Sequence, residues 1–508
     1  MRSMKSYSHF MNKISSEDIF EGLLGHGLFS EKLPPIFSSE SFYKYCRENP
    51  KAFPEDRACP YVFYESMRNT NVPRQLGIPN PMAYQQLCRC ISANWSKIQN
   101  HFEKATCNDT HIVSRIHLRK MNNTKILYRM NYDNWKTDGN PIQDLLIGHR
   151  YVVHADIATC FPSIYTHTIP WALVGKETAK KNTHCRGKNK TWYNEIDLYA
   201  RNCRNNETHG ILIGPHASNL ISEIILTCID SELTPKWKYI RHIDDYTCYV
   251  TTHDEAQRFL AELSDELRKY DLLLNHKKTL ISELPQATAE EWLHKIGHPA
   301  LYYNNGILDF IGARSYLEHA IEVMQESGKN SAVLNYAIKA LPYDKTSANA
   351  RDYCIKTAFH LCLLYPYLLQ IMDEFVFERF KVQRDEIKRL ADLAYEWNKE
   401  AKNYDGVCYS IFFALKHKFQ LGKIKAQDAI DSDSCVFRLL AFLYFAINKD
   451  VAEKTRLKDF ALKLSGNDDD FGRNWLFVYE ALPAKELSEE WQKIKVAGVS
   501  FLKNDYLV

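Results

Sequence analysis

KYIRHIDDYTCYVT, residues 238–251, sets two adjacent carboxylates, Asp244 and Asp245, between runs of β-branched and aromatic residues. Tyr239, Ile240 and Ile243 precede the pair, and Tyr246, Cys248, Tyr249 and Val250 follow it. This pattern predicts a β-hairpin with acid at its tip. Neighbouring aspartates between apolar strands repel each other and lose solvation, so they persist most easily where a divalent cation neutralises them. A hard, oxygen-seeking ion is expected: Mg²⁺, with Mn²⁺ as the alternative.

A third carboxylate lies upstream. Asp156 ends the short apolar run Tyr151-Val152-Val153-His154-Ala155, which has strand character, and Ile157-Ala158-Thr159-Cys160-Phe161-Pro162 then turns away. Three carboxylates on neighbouring strand ends can hold two metal ions about 3.5–4 Å apart, one activating an attacking hydroxyl and one stabilising the leaving phosphate oxygen. Nucleotidyl transfer is the chemistry such a trio suits.

The order of the remaining signals strengthens this expectation. DIATCFPSI begins at Asp156, GILIGPHASNLISEIIL at Gly210, RHIDDY at Arg241 and LNHKKT at Leu274. Together they resemble motifs A, B, C and D of the reverse transcriptase palm. A second acidic run, Asp468-Asp469-Asp470, reads as a solvated loop. Flanking segments narrow the likeness: YTHTIPWAL from Tyr165, the basic GKETAKKNTHCRGKNK from Gly175 and THGILIG from Thr208. These resemble the abortive-infection (Abi) reverse transcriptases of bacteria, prophage-borne members included, over roughly residues 40–282.

The resemblance implies an α+β architecture, with reverse transcriptase fingers and palm followed by an all-α, repeat-like (HEAT-like) C-terminal domain in place of the usual thumb. It implies a phage-defence DNA polymerase that adds dNTPs without copying a template and stays covalently joined to its DNA product through a tyrosine primer. A homo-oligomer, trimer or hexamer, belongs to the same expectation. The metal ligands it implies are Asp156, Ile157 through its backbone, Asp244 and Asp245. A templated reverse transcriptase of retron type, with an RNA partner, is the alternative.

The 508 residues are 45% hydrophobic and 25% charged, enough for two or three domains with filled cores. A formal charge of +3 supplies no bulk basic field, so contact with nucleic acid must come from local patches. Fourteen cysteines without a CxxC pair, and no cleavable apolar leader before Ser16, suggest a reduced, cytoplasmic protein. His184, Cys185, Cys203 and His209 match no standard zinc spacing. Val436 to Ile447 is too short for a bilayer and contains Arg438, so a buried helix is expected and no membrane partner.

Residues 1–48 are expected to form an irregular arm, because glycines and Pro34-Pro35 in FEGLLGHGLFSEKLPPIF deny a long helix. Tyr7, Tyr43 and Tyr45 lie in or beside it, and each is a candidate primer. Fingers and palm are assigned to 49–320 and the helical domain to 321–508. In NVPRQLGIPNPMAYQQLCRCISANW, from Asn71, Arg74 precedes an Ile-Pro pair and a helical pattern beginning at Met82. This resembles a fingers motif in which the arginine grips the incoming triphosphate; a forked guanidinium suits phosphate oxygens. Ser114 to Tyr128 reads as a hairpin with one basic face, and Lys176 to Lys190 as a basic loop.

Phe161 stands five residues after Asp156, where the resemblance implies a ring beneath the sugar that excludes a ribose 2′-hydroxyl; an ordinary core phenylalanine is the other reading. Small residues at Gly214–Asn219 open an apolar helix, Leu220 to Cys228, with Ser218 or Asn219 contacting nucleotide or capping the helix. Asp254 to Tyr270 is an amphipathic helix, and Leu272 to Leu280 an expected strand carrying Asn275, Lys277 and Lys278. The resemblance implies that one of these lysines protonates leaving pyrophosphate; spacing does not choose between them. His242 departs from the aromatic residue usual before this acidic pair. Helical patterns fill the rest, at Ala332–Ala340, Tyr353–Tyr365, Leu368–Phe380, Glu386–Lys402, Tyr409–Phe419, Cys435–Asn448, Leu457–Leu464 and Asn474–Ala481.

Overall fold

The computed structural model describes residues 11–53, 56–106, 142–182, 190–285, 291–297 and 306–507. The expected basic hairpin 114–128, Tyr7, His184 and Cys185 lie outside the described residues. So does most of the second half of the basic segment 176–190.

The first two strands form a fingers hairpin, β1 (Val62–Met67) antiparallel to β2 (Pro73–Ile78), with Arg74 opposite Ser66. Helix α1 (Pro81–Ala93) follows, started by the Asn80 side chain, which accepts the Met82 N–H at 3.0 Å, and by a proline in its first turn. The palm is a four-stranded antiparallel sheet in the order β4-β5-β3-β6: β3 (Tyr151–Asp156), β4 (Tyr239–His242), β5 (Asp245–Val250) and β6 (Leu280–Glu283). The hairpin anticipated at 238–251 is β4–β5.

Helices α2 (His216–Leu233) and α3 (His253–Arg268) pack on this sheet. α3 starts with a reciprocal cap between Thr252 and Glu255, then turns Phe259, Leu263 and Leu267 inward. Phe259 meets Tyr239 and Trp237 at centroid distances of 5.8 and 5.6 Å, which ties the helix to β4.

Several expectations change. Leu272 to Leu280 is not a strand: Leu274 makes one bridge to Ile157, the chain turns through His276–Lys278, and only Leu280–Glu283 pairs with β3. The Asn275 side chain accepts the Lys277 N–H at 3.2 Å, a local bond that competes with a ladder and forces the turn. Nor are residues 11–48 an irregular arm. Ser16–Phe20 is helical, a π-turn Glu21–Gly25 continues it, and Glu40–Glu48 is a second helix. Ile14, Ile19, Leu23, Leu24 and Leu28 are buried in the main core, so apolar burial overrides the glycines. Asp468–Asp470 is exposed, as anticipated, but forms the first turn of helix Asp468–Arg473, capped by Asn467, where acid suits the helix N-terminus. Helix Phe310–Glu326 runs across the expected boundary at 320 and 321.

From Phe310 onward the described chain is helical, and Cys435–Ile447 is the buried helix expected from its composition. No helix among the described residues is long and apolar enough to cross a membrane. The helical part joins the fingers through Asp405, which accepts from the Tyr64 hydroxyl at 2.5 Å and from the Met67 N–H at 2.9 Å.

Candidate active site

The register of the palm brings the three acids together. β3 places Asp156 directly opposite Asp245, and the Ile157 N–H donates to the Asp244 carbonyl at 3.0 Å. Two residues, Ile243 and Asp244, make the turn between β4 and β5, with Ile243 left-handed at φ +54°. A β-branched residue is strained in that region, so something must hold it there.

Arg241 holds it. Its side chain is fully enclosed, and Nη1 donates to the Ile243 carbonyl at 3.0 Å. The rest of the guanidinium binds two acids of α2: Nε and Nη2 reach Asp230 at 2.9 and 2.5 Å, and Nη1 and Nη2 reach Glu223 at 2.9 and 3.2 Å. The Tyr239 hydroxyl adds a bond to Asp230 at 2.8 Å. Burial pushes the Asp230 carboxyl up even against this pairing, whereas the two facing carboxylates keep the guanidinium firmly charged.

Asp156 is buried, with both carboxylate oxygens engaged. Asn275 Nδ2 donates to Oδ1 at 2.9 Å and Lys278 Nζ to Oδ2 at 2.7 Å, while the Asn275 N–H binds the Asp156 carbonyl at 2.7 Å. Lys278 is therefore the lysine among the acids, and hydrogen bonding to Asp156 raises its pKa. Lys277 points no described contact toward them beyond its N–H to Asn275. Asp245 keeps part of its surface in water, yet crowding in the cleft and then the charges of Asp244 and Asp156 push it up to about 7. Asp244 is raised as well, chiefly by burial, with Lys278 and Arg74 opposing.

The three acids line a cavity of about 570 Å³ together with Arg74, Phe161, His242, Asn275 and Lys278. Another cavity, about 650 Å³, lies between Trp171 and Asp197 and contains none of the three, so charge and not volume singles out the first. The donor set suits a hard divalent cation: three carboxylates meet at one place, two of them, Asp244 and Asp245, raised first by burial and then by neighbouring charge, and Asp156 carries an ammonium. Lys278 must give up Oδ2 for such an ion to use it. Among the described residues no group of three His, Cys, Asp or Glu is arranged as a metal cluster as it stands.

Other expected site residues go elsewhere. Ser218 is buried beside a small cavity with Tyr84, Leu87 and Ile221, away from the acids, and Asn219 does not line the acidic cavity. Neither caps α2, which begins at His216 without a side-chain cap. Tyr43 is buried against Phe20, its hydroxyl donating to Glu17 at 2.6 Å, and burial with that bond pushes it up to about 12. Tyr45 is half-buried against Phe53.

Sequence reasoning missed Arg241, Glu223, Asp230 and Asn275. The signal was present in part: an arginine inside an apolar strand needs buried acid, and α2 carries two acids seven residues apart on one face.

Residues 81–305 match the family model described as reverse transcriptase (RNA-dependent DNA polymerase). The chain carries a reverse transcriptase domain. It is a nucleotidyltransferase by that domain, and the matched segment holds Asp156, Asp244, Asp245 and Lys278, with Arg74 just before it. Among solved structures, apo telomerase from Candida tropicalis is similar at 12% identity, covering 75% of this chain and 69% of that one, TM-score 0.28. The same telomerase truncated from its C-terminal domain is 15% identical over 46% of this chain and 52% of that one, TM-score 0.27. Candida albicans telomerase with a fragment of telomeric RNA is 10% identical over 72% and 67%, TM-score 0.28. No curated protein matches the sequence.

Proposed function

We propose that the reverse transcriptase domain extends DNA by adding dNTPs at the cavity formed by Asp156, Asp244 and Asp245. The observation that carries this is the register pairing Asp156 with Asp245 at the end of the palm strands. Asp156, Asp244, Asp245 and the Ile157 backbone would hold Mg²⁺, or Mn²⁺, which when bound supplies charge stabilisation for attacking and leaving oxygens. A hydroxyl oxygen bonds to the α-phosphorus of the dNTP, the bond to the β-phosphate breaks, and the hydroxyl proton passes to water. Arg74 grips the triphosphate, and Phe161 packs beneath the sugar and excludes a 2′-hydroxyl. Lys278, released from Asp156, delivers a proton from Nζ to the pyrophosphate.

The finer reading follows the segments that resemble the Abi family: synthesis without template, primed by a tyrosine of the protein, in defence against phage, in the cytoplasm and by a homo-oligomer. Tyr43 is withdrawn as a primer, since its hydroxyl is buried on Glu17; Tyr7 and Tyr45 remain. Incubating purified protein with Mg²⁺ and dNTPs alone tests this. DNA growing on the protein supports it, synthesis only on an added RNA template supports the retron-type alternative, and inertness under both conditions refutes the polymerase.

A further inference from the structure

Where the fingers hairpin meets the helical C-terminal part, four cationic side chains make no ion pair among the described residues: Arg74, Lys32, Lys339 and Arg379. Arg74 stands on the wall of the catalytic cavity. Lys32 follows, in a loop whose carbonyl accepts from the Tyr409 hydroxyl at 3.3 Å, with its ammonium 5.8 Å from the centre of the Tyr367 ring. Lys339, at the end of helix Ala332–Ala340, lies 5.0 Å from the centre of Phe375. Arg379 approaches the same ring at 4.2 Å and Tyr343 at 5.4 Å.

Lys32 and Lys339 reach solvent, yet protein crowds them, and burial first and cationic neighbours second lower both ammonium groups. Arg74 acts on Lys32, Lys32 acts on Lys339, and Lys339 and Arg379 share the Phe375 ring, so the four follow one another from the cavity wall to the helical part. Acids stand near as well: Glu31 and Asp405 beside Lys32, and Glu374 beside Lys339. Asp405 is already occupied by Tyr64 and Met67. Cations that repel one another, interleaved with half-exposed rings, match a phosphodiester chain whose bases stack on aromatics.

We propose that Arg74, Lys32, Lys339 and Arg379, with Phe375 and Tyr343, form a track that carries single-stranded nucleic acid from the catalytic cavity onto the helical C-terminal part. The direction of the track rests on the polymerase reading; strand binding does not. Phosphates would sit on the cationic heads and bases on Tyr343, nearly half exposed at 47%.

The test measures binding of fluorescent oligo-dU and oligo-U to the full chain over a range of salt, for wild type and for Lys32→Ala/Lys339→Ala/Arg379→Ala. Losing three phosphate contacts should reduce the slope of log affinity against log salt by about 2 and weaken binding about ten- to a hundredfold. Equal losses for both oligomers identify a phosphate track, and a loss for one alone identifies the sugar it prefers. Unchanged affinity and slope overturn the proposal, as does an equal loss in Lys423→Ala/Lys454→Ala/Lys463→Ala, which removes the same charge elsewhere. An inert wild type that still binds through the track refutes the polymerase and not the track.

Discussion

Arg241→Ala would remove a fully enclosed guanidinium that holds two carboxylates of α2 and the carbonyl of the Ile243 turn. Asp230 and Glu223 would be left facing each other, with side-chain exposures of only 6% and 11%. Breaking a buried pair from one side costs about 3–5 kcal/mol, because charge is left buried without its partner. Set against a typical stability of about 5–15 kcal/mol, that loss moves the urea midpoint well below wild type.

Arg241→Lys keeps the charge but cannot span both acids and the carbonyl, so its midpoint should fall between the two. Catalysis separates positioning from stability. The released turn carries Asp244, so Arg241→Ala is expected to need more Mg²⁺ and to lose about a hundredfold in rate, equivalent to about 2.7 kcal/mol. Adding Asp230→Asn and Glu223→Gln to Arg241→Ala removes the stranded charge and should recover much of the stability without recovering the rate. An unchanged urea midpoint for Arg241→Ala, or wild-type activity at wild-type Mg²⁺ concentration, would refute the account of this residue.

Other substitutions probe the rest of the site. Asp156→Ala and Asp244→Ala should abolish dNTP incorporation while the circular dichroism spectrum stays that of wild type; full synthesis by either removes the assignment. Lys278→Ala should slow incorporation about ten- to a hundredfold and Lys277→Ala leave it near wild type, and the reverse order would put the acid at Lys277. Phe161→Ala should admit ribonucleotides, which a comparison of dNTP and NTP incorporation measures; unchanged discrimination ends the steric role. Asp405, fully buried, has its carboxyl pushed up to about 6 by burial, above the ordinary aspartate value of about 3.9. Between about pH 4 and 6 the folded state holds a proton that the unfolded state has lost, so stability falls as pH rises through that window, by about 3 kcal/mol in all. Wild type minus Asp405→Asn, followed as thermal midpoint between pH 4.5 and 7.5, should show that fall; a flat difference would exclude it.

The sequence by itself determined the hairpin with acid at its tip, the strand that delivers Asp156 and the helical nature of the chain after about residue 320. Those features are local: alternation, β-branched runs and helical periodicity report which face is buried without reference to distant residues. Fingers and palm were legible through the resemblance of short segments, in order, to the motifs of the reverse transcriptase palm and fingers. Only the tertiary structure decided that Lys278 and not Lys277 reaches Asp156, because a turn organised by Asn275 replaced the expected strand and set which side chain faces the acids. It also drew residues 11–48 into the core, withdrew Tyr43 and Ser218 into packing, and supplied Arg241 with Glu223 and Asp230 from another element. A buried charge must be paired, but sequence does not say with what; the partner is chosen by the packing of α2 against the sheet.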